Sequence, residues 1–293
     1  ITSAAGTADT MEVLAKVTFP ISKMKEIVLN THGCIVWGGS LNLAPADDKI
    51  IAVERPLEID AESQLLASIM AKKHSVSSTH ILIDVPIGNY EKVKNMVEAV
   101  KLKKKFEKIG KKLRKHVKVL LTDGLQPIGN GIGPALEARD VLWVLKRDPR
   151  RPIDLEKKSL LMCANIFDMI GIRDGYRKAY EILNSGKAYQ KMIEIIKAQG
   201  GKEIPAEDIK IGKYCYDIKS RRKGKIRAID NMLISRIARI AGAPHDKGAG
   251  IYLYKHIGDK VNIGDKLFTI HSESMRELEY AKDVAKSSKV QWF

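Results

Sequence analysis

No run of about 18 apolar residues occurs in this sequence, so nothing in it reads as a membrane-spanning helix. The first residues, Ile1-Thr2-Ser3-Ala4-Ala5-Gly6, carry no basic leader and no apolar stretch behind one, and are not expected to be a signal peptide. An initiator methionine is also missing, and the chain is expected to be a piece of something longer. Cysteine is scarce: Cys34, Cys163 and Cys215 lie far apart in no C-x-x-C arrangement and read as buried or idle thiols in a reducing cytoplasm. Aromatic residues make up only 6%, which leaves little for stacking on nucleic-acid bases. Acidic residues are outnumbered, 35 against 51 basic ones, and the resulting formal charge of +16 implies an anionic partner. Nucleic acid, a membrane surface and small phosphorylated substrates all fit that sign.

What is present suits a folded protein. A chain of 293 residues, 44% hydrophobic and 29% charged, can bury one large core and a smaller one. Met11, Val13, Leu14 and Val17 recur at helical spacing behind Thr7, Asp9 and Thr10, which offer cap chemistry. Cys34-Ile35-Val36-Trp37 predicts a buried strand ending at Gly38-Gly39. Residues 60–73 predict a helix with Leu65, Leu66, Ile69 and Met70 as its apolar stripe. Residues 80–86 and 117–123 predict buried strands, separated by a lysine-rich helix that is continuous or broken near Gly110. A glycine-rich loop, 128–134, then leads into another helix, and helical patterns dominate from Leu155 to Gln199. Strand, helix and strand in alternation predict an α/β fold with a parallel or mixed sheet and flanking helices.

From about residue 213 the texture changes to short strands and turns, and Ile257-Gly258-Asp259 recurs as Ile263-Gly264-Asp265. The expected organisation is therefore a central α/β domain over 1–212 and a small β-rich domain over 213–293. Such hairpins resemble those of lipoyl- and biotinyl-carrier modules, but the modified tip lysine is missing and no carrier function is assigned.

Several separated motifs carry a family likeness. Leu43-Ala44-Pro45-Ala46-Asp47, Arg55 and Ala67-Ser68-Ile69-Met70-Ala71-Lys72-Lys73 resemble the thymidine and pyrimidine nucleoside phosphorylases. Gly6-Thr7-Ala8-Asp9-Thr10-Met11-Glu12 and the run from Ile128 to Asp140 resemble that family's archaeal AMP phosphorylase branch. The resemblance implies a nucleoside phosphorylase type II fold, with an incomplete helical lobe that includes residues near 47–75. It also implies phosphorolysis of nucleoside 5′-monophosphates, AMP preferred, to free base and ribose 1,5-bisphosphate. Inorganic phosphate would be the co-substrate, with no cofactor and no metal, in a cytoplasmic homo-oligomer of two or more subunits. The family's Lys-His-Ser-Gly-Gly phosphate segment lies upstream of Ile1. Lys73-His74-Ser75 imitates it without the glycine pair, so the fragment alone is expected to be inactive.

Phosphorolysis requires a held oxyanion and an acid for the leaving base. By resemblance, Ile1, Thr2, Ser3 and Thr7 line the nucleotide site, with Thr10 a further candidate beside them. A helix start flanked by small residues suits an anion, and Asp9 is expected to point away from it. Ser68 and Lys72 sit four apart, on one helix face. The resemblance assigns them and Arg55 to the nucleobase. Lys92 is matched to the 5′-phosphate, where a compact ammonium serves as a point charge. Asp60 is matched to the proton donor. The same position is a natural N-cap, and a helix N-terminus lowers a carboxyl pKa, so burial and nearby anions would have to raise it.

Two alternatives remain at this stage besides a pyrimidine nucleoside or thymidine phosphorylase. A phosphoribosyltransferase would need a metal–diphosphate site, for which Asp47-Asp48 is a weak candidate. An RNA-binding module would use Lys101–Lys118 and Arg221-Arg222-Lys223-Gly224-Lys225, but aromatic residues hardly interleave with either run.

Overall fold

The computed structural model describes residues 4–41, 49–50, 62–288 and 290–292. The first half runs α1 (Thr7–Glu12), α2 (Ile21–Thr31), α3 (Glu62–Ser75), β1 (His80–Ile87), α4 (Met96–Lys112), β2 (His116–Asp123), β3 (Gly131–Ile132) and α5 (Pro134–Lys146). Three helices follow: α6 (Ile153–Met169), α7 (Gly175–Asn184) and α8 (Lys187–Ala198). The remainder is β4 (Tyr214–Lys219), β5 (Gly224–Lys225), β6 (Ala228–Ile229), α9 (Asn231–Ile240), β7 (Gly250–Leu253), β8 (Lys260–Val261), β9 (Lys266–Ser272), α10 (Met275–Ser287) and β10 (Gln291–Trp292). The architecture is mixed α/β, sheets with flanking helices. Parallel and antiparallel pairings are kept in separate sheets among the described residues. Two compact units emerge: Ile1–Val36, Gly124–Ser159 and Tyr180–Phe293 form one, Trp37–Asp123 and Leu160–Ala179 the other.

The second unit contains a β-α-β element. β1 and β2 pair in parallel from His80↔His116 to Ile87↔Asp123, with α4 as the crossover. Asn95 caps α4 by accepting from the Glu98 N–H at 3.0 Å, and the Glu98 carboxylate reaches back to the Asn95 side-chain amide at 2.8 Å. The buried residues of α4, Ala99, Leu102, Phe106 and Gly110, recur three to four apart and pack on Ile81, Ile83, Val85 and Val119 of the strands. Leu66 and Met70 of α3 join that cluster. Each large aliphatic or aromatic side chain so buried contributes roughly 1.5–3 kcal/mol. Helix α4 does not break at Gly110. A Cβ there would lie 2.3 Å from Val117 Cγ2, so glycine lets the helix settle onto β2. The strands alternate rather than being buried throughout: Leu82 and Asp84 of β1 are only half-buried. Lys101, Lys104, Lys105 and Lys108 occupy the exposed face of α4.

In the first unit, Met11, Leu14 and Val17 pack with Ala138, Leu142 and Trp143 of α5 and with Ile193 and Ile196 of α8. Cys34–Trp37 is not a strand, and a buried side chain takes the place of a neighbouring strand at Ile35. The Gln199 amide accepts from the Ile35 N–H at 2.8 Å and donates to the Ile35 carbonyl at 2.9 Å and the Lys16 carbonyl at 2.6 Å. Trp37 is 54% exposed, and among the thiols Cys163 and Cys215 are exposed rather than buried.

The four-stranded antiparallel sheet has the order β3-β7-β9-β4, and its core is Ile234, Ile237, Ile251, Phe268 and Ile270. One edge strand, β3, comes from residues 131–132, far upstream of the others. The repeated Gly-Asp dipeptides build the same turn twice. Gly258 and Gly264 have φ of 98° and 89°, and Asp259 and Asp265 accept from the N–H groups of His256 and Asn262 at 2.8 and 3.0 Å.

Candidate active site

Ile1, Thr2, Ser3, Arg55 and Asp60, as well as Asp47-Asp48, lie outside the described residues. Of the remaining candidates, Thr7 and Thr10 belong to the first unit, and Ser68, Lys72 and Lys92 to the second.

Thr7 is the first residue of α1 and is exposed. The α1 start differs from expectation at Asp9. Its carboxylate does not point away: it accepts from the Gly6 N–H at 2.8 Å and lies 3.6 Å from the Lys247 ammonium. The helix therefore supplies its own anion at its N-terminus. Thr10 is likewise committed inside the protein. Its hydroxyl donates to Glu137 at 2.8 Å, with a longer contact of 3.2 Å to the Gly6 carbonyl, so its one proton is not left for a ligand.

Glu137 belongs to the first turn of α5 and accepts also from the Gly133 N–H at 3.0 Å. It thereby ties α1 to the start of α5, a positioning role that the sequence pattern missed. The signal for it was a lone carboxylate in an otherwise apolar first turn. Burial pushes its pKa up, while its bonds from Gly133 and Thr10 pull the other way.

The glycine-rich loop is occupied by the protein's own carboxylates. Asn130 and Gly131 both donate their N–H groups to Asp140 Oδ2 at 2.7 Å, and Gly129 donates to Asp154 at 3.1 Å. A Cβ on Gly131 would lie 2.4 Å from the Leu136 carbonyl carbon, so the glycine serves backbone packing. Asp140 is 1% exposed, its Oδ1 has no hydrogen-bond partner, and burial raises its pKa against the lowering by the two N–H bonds. A raised folded-state pKa favours the protonated fold, so this residue's contribution to stability is fully present below the ordinary carboxyl range and declines as pH rises through the raised value. Asp140→Asn should keep the acceptor for both N–H groups without the buried charge. Urea denaturation should then show a variant within about 1 kcal/mol of the parent at neutral pH, with a weaker pH dependence between mild acid and neutrality, whereas Asp140→Ala should lose about 2–3 kcal/mol. An Asn variant as damaged as the Ala variant would show that the charge itself is required.

In the second unit, Ser68 and Lys72 lie on one face of α3, and both are half-buried. Lys73-His74-Ser75 is the C-terminal turn of the same helix, with the Ser75 hydroxyl donating to the Lys72 carbonyl at 2.9 Å, which is not a phosphate loop. Lys92 is exposed and follows the carboxyl end of β1, where open α/β sheets place their ligands. It lines a cavity of about 350 Å³ together with Leu65, Val93, Lys101 and Leu102, and with Glu62 and Glu98. The two carboxylates are already engaged, Glu62 with Lys105 at 2.7 Å and Glu98 with the α4 cap. Within β1 and β2, the Thr122 hydroxyl donates to Asp84 at 2.7 Å, near the same end of the strands. Among the described residues, no group of three or more His, Cys, Asp or Glu side chains is arranged to hold a metal ion, and no helix is long and apolar enough to cross a membrane.

Residues 225–290 match the family model described as the pyrimidine nucleoside phosphorylase C-terminal domain. Similarity to curated proteins extends over nearly the whole chain. A Bradyrhizobium diazoefficiens protein named "Putative thymidine phosphorylase" is 48% identical over 97% of this chain and 56% of its own length. One of the same name from Albidiferax ferrireducens is 45% identical over 98% of this chain and 56% of its own. "AMP phosphorylase 1" of Archaeoglobus fulgidus is 46% identical over 99% of this chain and 58% of its own length. The chain thus spans little more than half the length of these relatives, and the similarity to the phosphorylase family is not confined to its C-terminal domain.

Proposed function

We propose that this chain is the C-terminal part of a nucleoside phosphorylase-family enzyme that cleaves nucleoside 5′-monophosphates, AMP preferred, with inorganic phosphate. A phosphate oxygen bonds to C1′ of the ribose as the C1′–N bond breaks. The base leaves with the bonding pair and takes a proton, giving free base and ribose 1,5-bisphosphate. Asp60 donates that proton. Ile1, Thr2, Ser3 and Thr7 line the nucleotide site, and Ser68, with Arg55 and Lys72, meets the base. The reaction needs no cofactor, phosphate being its co-substrate, and the enzyme works as a cytoplasmic homo-oligomer.

The observation that carries a nucleotide rather than a nucleoside is Lys92. It lines a cavity of about 350 Å³ just beyond the carboxyl end of β1, where a phosphate-bearing tail would be met. The 46% identity to the Archaeoglobus protein supports the same choice. A thymidine phosphorylase activity is the second reading, favoured by the names of the other two relatives. Base release by the full-length protein from AMP, CMP, UMP and thymidine, with and without phosphate, separates them. Phosphate-dependent release from AMP is expected, and release from thymidine alone would defeat the proposal.

Lys92→Ala in the same protein should weaken AMP far more than adenosine. The loss of a charge-assisted contact to the 5′-phosphate amounts to about 1.5–3 kcal/mol, read as the ratio of kcat/KM for the two substrates. Equal losses for both would return Lys92 to the solvated surface.

A further inference from the structure

The sheet formed by β7, β9 and β4 carries a second concavity, within the first unit and independent of the residues assigned to phosphorolysis. It has a volume of about 500 Å³, inside the range usual for small-molecule sites. Its apolar lining is Ile218, Leu267, Phe268, Ala285 and Val290, together with the half-buried Tyr216. Its cationic lining is Lys219, Arg221, Arg222 and Lys286, set against one carboxylate, Asp217. That carboxylate is already held by the Lys266 ammonium at 2.7 Å and the Thr269 hydroxyl at 2.6 Å. A concave surface lined by one sign of charge over an apolar base concentrates the field of its cations.

Two features of the backbone fix this arrangement. The β4–β9 register shifts between Ile218 and Lys219, a break in the regular ladder at the pocket's own lining. The loop after it is tied down on both sides. The Ser220 N–H donates to the Asp265 carbonyl and the Gly264 N–H to the Ser220 carbonyl, each at 2.9 Å, while the Ser220 hydroxyl donates to the Arg222 carbonyl at 2.6 Å. The arginines therefore rise from a backbone that needs no ordering when a ligand arrives.

We infer that this pocket binds a phosphorylated small molecule with a flat or apolar body, a nucleoside monophosphate being the chemical type that fits it. The guanidiniums of Arg221 and Arg222 take the phosphate, for which planar donors are suited, and the ring lies against the apolar lining. A nucleic-acid strand is less well served. Tyr216 also lines the pocket, but its ring has the Lys282 and Lys286 ammoniums 5.1 and 4.8 Å from its centroid, and a single ring offers no platform for successive bases.

Methyl NMR on the 293-residue chain tests the site, because Ile218, Leu267, Ala285 and Val290 report on this pocket alone. AMP should shift these signals saturably, ribose 5-phosphate more weakly, and adenosine not at all at the same concentration. The double variant Arg221→Gln/Arg222→Gln should weaken AMP at least tenfold while its far-UV circular dichroism is unchanged. The inference is overturned if AMP gives no saturable shift, if adenosine acts as strongly as AMP, or if the double variant binds AMP as the parent does. Tighter binding of a short single-stranded RNA than of AMP would overturn it in favour of a nucleic-acid surface. None of these outcomes depends on the assignment of Lys92 or Asp60.

Discussion

Asp60→Asn in the full-length enzyme is expected to lower turnover on AMP by roughly 10²–10⁴-fold, the usual worth of a positioned proton donor. The substitution separates two roles that the sequence permits for this residue. Asn caps a helix about as well as Asp, so a residue that only caps would tolerate it in both stability and turnover, while Ala would cost about 1 kcal/mol of stability. A proton donor would lose rate with Asn and little stability. Substrates whose bases leave more readily need less protonation and should suffer less. Steady-state kinetics on AMP at neutral pH, alongside a thermal melt, distinguishes the cases. Near-parental turnover of the Asn variant would send the search for the acid elsewhere.

The largest effect on stability is expected at Gln199. Its fully buried amide serves three backbone groups, the N–H and carbonyl of Ile35 and the carbonyl of Lys16. Gln199→Leu keeps the bulk but strands all three, and each unpaired buried group costs about 1–3 kcal/mol when solvent cannot reach it. These groups are partly buried, so a total loss of about 2–4 kcal/mol is expected in urea denaturation, together with faster amide exchange at Ile35. Gln199→Glu retains only the acceptor and buries a charge. It should be at least as damaging at neutral pH and recover as the solution is acidified, since burial favours the protonated carboxyl. A Leu variant with parental stability and exchange would show that the amide is dispensable.

Local periodicity was sufficient where one chain segment decides its own structure. The helix α3, with Leu66 and Met70 of its expected stripe buried, and the strands β1 and β2 lie where their spacing predicts, because each buries one face against its sequence neighbours. Failures came where a single side chain outside the apolar pattern decides. Cys34–Trp37 has the composition of a strand, but its partner is a glutamine side chain 164 residues away from Ile35. The 128–134 loop has glycines fit to cradle an anion, and Asp140 fills that place from within. Asp9 was expected to point away from an anion at the α1 start, yet its carboxylate accepts from the Gly6 N–H. Residue types and spacings could not reveal the distant Gln199 pairing, nor that the nearby Asp9 and Asp140 carboxylates claim the same N–H groups that an anion would use. The family likeness supplied Ser68, Lys72 and Lys92 as candidates, and the fold adds that the first two share one half-buried face of α3 and the third borders a cavity.

The upstream origin of β3 makes the C-terminal sheet a joint product of two distant stretches of chain. Residues 131–132 cover β7 through Gly131↔Tyr252 and Ile132↔Ile251, and the Leu253 N–H extends the pairing to the Asn130 carbonyl at 2.8 Å. A module excised at Tyr214 would carry β7 with a bare row of backbone donors and acceptors, the kind of border that recruits a foreign strand or a second copy of itself. For anyone wishing to transplant or separately express this region, the natural unit is therefore discontinuous: it must bring the 129–133 ribbon along, as a fused strand or an added peptide.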